Sequence, residues 1–185
     1  MTTRGGLEIL ARGGSFDVHY LEWIDVLDWI TRDIAIGNID DAIRIDRLHG
    51  AGIKGILCLN GWPNSATNSH GLTWRCVELI DGEGNDVSRL REAIWQLHEL
   101  VANGAVLVHC MEGVSRSALV VASYLAETSG RPFAMCLEEV ARLRKRVFLQ
   151  PGLIDLRRIY ESTIAPQERL YRAGALHGAL RASGD

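Results

Sequence analysis

Two periodicities of apolar residues alternate along this chain. Dense apolar runs occur at "IKGILCLN" (53–60) and "AVLVHC" (105–110), and a more mixed run at "LTWRCVELI" (72–80). Runs of this length predict strands, and the near-unbroken one at 105–110 predicts a strand covered on both faces. "FDVHYLEWI" (16–24) and "DWITRDIAIGN" (28–38) carry aromatic and β-branched residues and predict two further short strands. Other segments have helical spacing. In "IDDAIRIDRLHGAG", Ala42, Ile45 and Leu48 share a face, with Asp40 as the expected cap and Gly50 as the stop. In "VSRLREAIWQLHELVANG" the apolar face is Leu90, Ile94, Leu97 and Val101, with Asp86 as cap and Gly104 as stop. "SALVVASYLAETSG", "RPFAMCLEEVARLRKR" and "PGLIDLRRIYESTI" predict three more helices, the last two with Pro132 and Pro151 in their first turns. A short helix is expected from Pro166 to about His177. Strands alternating with helices, then a helical C-terminal half, predict an α/β fold: a central, mainly parallel twisted sheet flanked by helices.

The 185 residues suit one domain with a sizeable core. Residues 1–15 are glycine-rich and expected to be flexible; 16–165 read as the folded domain; 166–185 read as a C-terminal helix and tail. Apolar residues make up 47% and charged residues 23%, an ordinary globular composition. The net charge of −3 argues against a nucleic-acid partner. No apolar run reaches the 18 or so residues that span a bilayer, and the N-terminus lacks a secretory signal. A cytoplasmic protein with no membrane partner is therefore expected. Cys58, Cys76, Cys110 and Cys136 form no CxxC pair, which suits reduced thiols better than a disulfide framework or a zinc site. The pattern does not bear on oligomeric state.

The informative chemistry lies in "VHCMEGVSRS" (108–117). Cys110 ends a strand, and ligands of open α/β sheets bind beyond the C-terminal strand ends. The loop Met111, Glu112, Gly113, Val114, Ser115 leads straight into a helix, so its N–H groups can converge on an anion at the helix N-terminus. Arg116 adds a guanidinium that can grip two phosphate oxygens and stays charged. The same field favours the Cys110 thiolate, and a thiolate beneath a bound phosphate is a nucleophile for phosphoryl transfer. No metal or other cofactor is required. The bland alternative is a buried structural cysteine with Arg116 in an ordinary ion pair.

His109-Cys110, five residues, then Arg116-Ser117 resembles the signature of the cysteine-dependent protein tyrosine phosphatases, and "HCMEGVSRS" resembles its dual-specificity branch. The likeness runs from about Trp29 to Leu156 and includes "ITRDIAIGNIDDA", "LHGAGIKGIL", "VELIDGEGNDVS" and "QPGLIDL". It implies a catalytic domain in which Cys110 attacks the phosphoester and Arg116 and the backbone of 111–116 bind the phosphoryl oxygens. It implies that Ser117 hydrogen-bonds the sulfur and helps it leave. It also implies an Asp that protonates the leaving group. Asp81 matches the family position, with a turn former as its bland reading; Asp86 is the alternative, with a helix cap as its bland reading.

His109 is expected to orient the loop through hydrogen bonds, and Glu112 to hydrogen-bond within it. The sequence departs from the family at Cys58 and Gln150, where Asn is common. "RLRKR" (142–146) is expected to be the solvated face of a helix rather than a docking patch, and His70, His98 and His177 to lie at the surface. Cys58 is expected on a strand beside that of Cys110, which raises a protective Cys58–Cys110 disulfide against the plainer reading of a small core residue. The loop has no lysine, which favours a phosphorylated protein substrate over a multiply phosphorylated lipid. The expected reaction is hydrolysis of phosphotyrosine, with phosphoserine and phosphothreonine admitted by a shallow pocket. The alternatives are a non-protein phosphoester (an RNA 5′ end, glucan or lipid) and a phosphate-binding adaptor of weak turnover.

Overall fold

The structure is a computed structural model, and residues 27–61 and 71–163 are described. The expected strand at 16–24, most of the loop at 61–71, the helix at 166–177, His70 and His177 lie outside them.

Among the described residues, five strands form one sheet in the order β1-β2-β5-β3-β4. They are β1 (Asp28–Trp29), β2 (Ile34–Gly37), β3 (Ile53–Cys58), β4 (Thr73–Cys76) and β5 (Ala105–His109). β1 is antiparallel to β2, and the other pairings are parallel. The helices are α1 (Ile39–Ile43), α2 (Ile45–Gly50), α3 (Val87–Val101), α4 (Arg116–Ser129), α5 (Phe133–Leu143) and α6 (Pro151–Thr163). This is the expected α/β class.

Alternation along the strands sorts the core into two layers. Ile34, Ile36, Leu57, Leu59, Val106, Val108 and Cys110 pack on one side with residues of α3, α4, α5 and α6. Ala35, Ile56 and Leu107 face the other side, with Ala42 of α1 and Leu48 of α2. β5 is central and covered on both faces, which is why its run is apolar at both parities.

Three local expectations are corrected. "DWITRDIAIGN" is a hairpin, not one strand: Thr31–Asp33 turn the chain, closed by Ile30 N–H to Ile34 O at 2.8 Å. The predicted helix at 39–52 is two short helices, broken where Arg44 leaves helical geometry (φ −87°, ψ 67°). Its cap is Asn38, not Asp40. Asn38 Oδ1 accepts from Asp41 N–H, and Asp41 Oδ2 accepts from Asn38 N–H, each at 2.9 Å. This reciprocal box uses Asp where Glu or Gln is usual. α5 stops at Leu143, so the basic run leaves the helix instead of lining it.

Among the described residues, no helix is long and apolar enough to cross a membrane.

Candidate active site

β5 delivers the chain to the site. Cys110 follows its last residue, is 2% exposed and lies at the C-terminal edge of the sheet. The loop 111–115 then turns into α4, whose first residue is Arg116. Within the turn Gly113 N–H donates to Cys110 Sγ at 3.2 Å. Gly113 has φ +67°, and a Cβ there would stand 2.2 Å from the carbonyl oxygen of Gly37. Only glycine fits, because the backbone is left-handed and β2 passes directly beneath.

Burial pushes the Cys110 thiol up, but it is outweighed. The Ser117 hydroxyl and N–H, the Arg116 charge and the Gly113 N–H together hold the pKa below that of a free thiol. The Ser117 hydroxyl is itself buried and short of a formed hydrogen bond; the sulfur is the group it influences. Arg116 donates from Nη1 to Leu79 O at 3.2 Å, while its buried Nε has no acceptor among the described residues. The guanidinium is thus anchored through Nη1, with Nη2 turned toward Asp81.

His109 is buried on the opposite sheet face. Its Nδ1 lies 3.2 Å from Cys110 O and its ring stands edge-on to Trp74. Burial lowers its pKa, which favours the neutral ring. That geometry suits the expected loop-orienting part.

Asp81 and Asp86 separate clearly. Asp81 Oδ2 lies 3.7 Å from Arg116 Nη2, with its side chain 42% exposed. Asp86 caps α3, accepting from Ser88 N–H at 2.7 Å, and that bond lowers its pKa. Glu112 differs from expectation. Its carboxylate points outward, 70% exposed and 3.7 Å from Arg146.

Two supporting residues were not singled out by the sequence reading. Asn85 holds the turn that carries Asp81: its Oδ1 accepts from Ile80 N–H at 2.8 Å, and its Nδ2 donates to Ile80 O and Gly82 O at 2.9 and 3.0 Å. The other is Arg144, from the run read as solvated. Its side chain is only 12% exposed. It donates from Nε to Gly113 O, from Nη2 to Glu112 O at 3.0 Å, and from Nη1 to Asp28 Oδ2 at 2.8 Å and Ile36 O at 3.3 Å. Asn between two turn signals, and an Arg just beyond a helix end, were the available clues.

Cys58 does not face Cys110. β3 does pair with β5, but Cys58 is in register with His109, so its side chain shares the face of His109 and Cys110 takes the other.

A thiol at a strand end, a tight loop whose Gly113 N–H meets the sulfur and an arginine at the helix start define the class: a cysteine-based phosphate-handling α/β domain. The model of the dual specificity phosphatase catalytic domain matches residues 42–162, and the chain belongs to that family. It is 36% identical over 116 residues to dual specificity protein phosphatase 22-A of Danio rerio, a match covering 60% of this chain and 54% of that protein. It is 25% identical over 140 residues to dual specificity protein phosphatase 1B of Arabidopsis thaliana, covering 75% and 83%. The chain thus spans about half the length of the Danio rerio relative.

Among solved structures, human DUSP28 superposes with a TM-score of 0.65 at 24% identity, covering 72% of this chain and 94% of that one. A human tyrosine phosphatase-like serine/threonine/tyrosine-interacting protein superposes with a TM-score of 0.62 at 23% identity, covering 72% and 94%. Such likenesses establish the fold; turnover must be argued from the site.

Proposed function

We propose that the protein is a metal-independent phosphoprotein phosphatase working through a cysteinyl-phosphate intermediate. The observation that carries this is the sulfur of Cys110, held with a lowered pKa under Gly113 N–H and beside Arg116. The thiolate attacks phosphorus. The phosphorus–oxygen bond to the leaving group breaks, and Asp81 gives its proton to the departing oxygen. The Arg116 guanidinium and the N–H groups of residues 111–116 bind the phosphoryl oxygens as charge shifts onto them. In the second step Asp81, now a carboxylate, takes a proton from water. That water attacks phosphorus, the sulfur–phosphorus bond breaks, and Ser117 stabilises the departing thiolate.

The rim supports a phosphorylated aromatic side chain. Ile80 beside Asp81, Met111 in the loop, and Phe148, whose N–H bonds Val114 O, are all exposed. Exposed apolar side chains next in sequence to Asp81 and Cys110 favour an aryl group over an inositol ring or a sugar. Phosphoserine and phosphothreonine are the secondary substrates.

The test is phosphate release by the purified protein from phosphotyrosyl, phosphoseryl and phosphothreonyl peptides, a phosphoinositide and an RNA 5′ phosphate. Acid quenching should trap phosphate on Cys110. Preferential hydrolysis of the lipid or the RNA end would replace the substrate reading. Binding without release would leave an adaptor.

A further inference from the structure

The register that turns Cys58 away from Cys110 brings it against a different thiol. Cys58 on β3 is the in-register partner of Cys76 on β4, and their sulfurs lie 3.5 Å apart. Cys76 S–H donates to Cys58 Sγ, and Cys58 S–H donates on to Asn60 Oδ1 at 2.8 Å. The Cys58 lone pairs are therefore turned toward Cys76. The two differ sharply in access: Cys58 is buried at 1% exposure, while Cys76 is exposed on the edge strand. Among the described residues no group of three or more His, Cys, Asp and Glu could hold a metal ion.

We propose that Cys58 and Cys76 form a reversible dithiol–disulfide site, separate from Cys110, that accepts oxidising equivalents from hydrogen peroxide. Cys76 is the attacking thiol and Cys58 the resolving one. Cys76 loses its proton to solvent and its sulfur attacks the peroxide. The O–O bond breaks, one water leaves, and Cys76 becomes a sulfenic acid. Cys58 sulfur then attacks Cys76 sulfur, the S–O bond breaks, and the hydroxyl departs as a second water with the Cys58 proton. Two thiols have lost two electrons and two protons, and the peroxide has become two waters.

The backbone permits the bond. Neighbouring strands stand about 4.8 Å apart, inside the roughly 4.4–6.8 Å that a disulfide spans between Cα atoms. Closing the bond brings the sulfurs from 3.5 Å to about 2.05 Å, and β4 is the edge strand among the described residues. Burial and the nearby Cys58 and Glu78 push the Cys76 pKa up to about 12. The pair is therefore expected to oxidise more slowly than Cys110, which makes oxidation at the two places separable in time.

Cys110→Ser protein isolates the pair. Of the four cysteines it keeps three, and a graded peroxide series followed by thiol counting in denaturant should take three thiols to one, restored to three by dithiothreitol. Tryptic digestion without reductant should link the peptide 55–75 to the peptide 76–89. Adding Cys76→Ser, a change at an exposed position, should abolish the link and hold the count at two. Phenylarsine oxide, which bridges paired thiols without oxidation, should bind the Cys110→Ser protein and not the double variant. The proposal is overturned if Cys76 is oxidised to sulfinic acid with no link to Cys58. It is also overturned if Cys76 pairs between molecules, or if the count stays at three after prolonged exposure to peroxide well above the level that fully oxidises Cys110 in the native protein. None of these outcomes depends on phosphatase activity.

Discussion

Arg144 lies beneath Gly113, donating from Nε to its carbonyl oxygen, and so holds the back of the loop whose front faces Cys110. The same guanidinium reaches Glu112 O, Ile36 O and Asp28, which ties the loop to β2 and β1. Carbonyls gripped from behind leave the peptide N–H groups pointing forward, the orientation an anion requires. Arg144→Ala should therefore lower kcat/KM by about ten- to a hundredfold, the scale expected when reacting groups shift by about an ångström. Arg144→Lys should recover only part, because an ammonium lacks the planar fork. Steady-state kinetics with p-nitrophenyl phosphate would check both; wild-type values for Arg144→Ala would reduce the contact to a surface bond.

The thiol of Cys110 titrates below its ordinary value, and only its ionised form attacks. The sign follows: nucleophilicity is present above the lowered pKa and is lost as pH falls through it. Alkylation by iodoacetate should thus stay fast at pH values where a free thiol is mostly protonated. Arg116→Ala should move the midpoint upward, since a favourable positive charge is removed. An unchanged midpoint would exclude Arg116 as a cause. Cys110→Ser should retain phosphate binding and lose turnover.

Asp81 stands beside Arg116, whereas Asp86 is occupied in capping α3. Asp81→Asn should cost on the order of 10²–10⁴ in rate with a phenolate leaving group that needs protonation. The loss should be small with an activated aryl phosphate whose leaving group departs unprotonated. Asp86→Asn keeps a good capping side chain and should leave both rates unchanged. A reversed pattern would transfer the acid to Asp86.

Asn85 bonds the backbone on both sides of Asp81. Asn85→Ala should loosen the turn and reproduce the leaving-group dependence of Asp81→Asn at smaller size, about tenfold. Equal losses with both leaving groups would mean that Asn85 supports the whole site instead of the acid.

Much of this protein is written locally. The loop 110–116 was legible because strand end, glycine, arginine and helix start are consecutive, so chain connectivity itself assembles the nucleophile and its anion site. Asp86 as a cap was likewise legible, since a cap and its helix are neighbours. What the chain order could not convey is which distant groups meet. Arg144 comes to Gly113 across 31 residues, and its run had the composition of a solvated face. Only the end of α5 at Leu143, followed by a turn toward β2, buries it. The cysteines make the same point. Sequence placed Cys58 on the strand beside that of Cys110, and strand order agrees. A shift of one residue in register decides which sheet face a side chain occupies, and that register gives Cys58 to Cys76. Periodicity along one strand determines its two faces; hydrogen-bonded pairing between strands decides which side chains share a face at the same level.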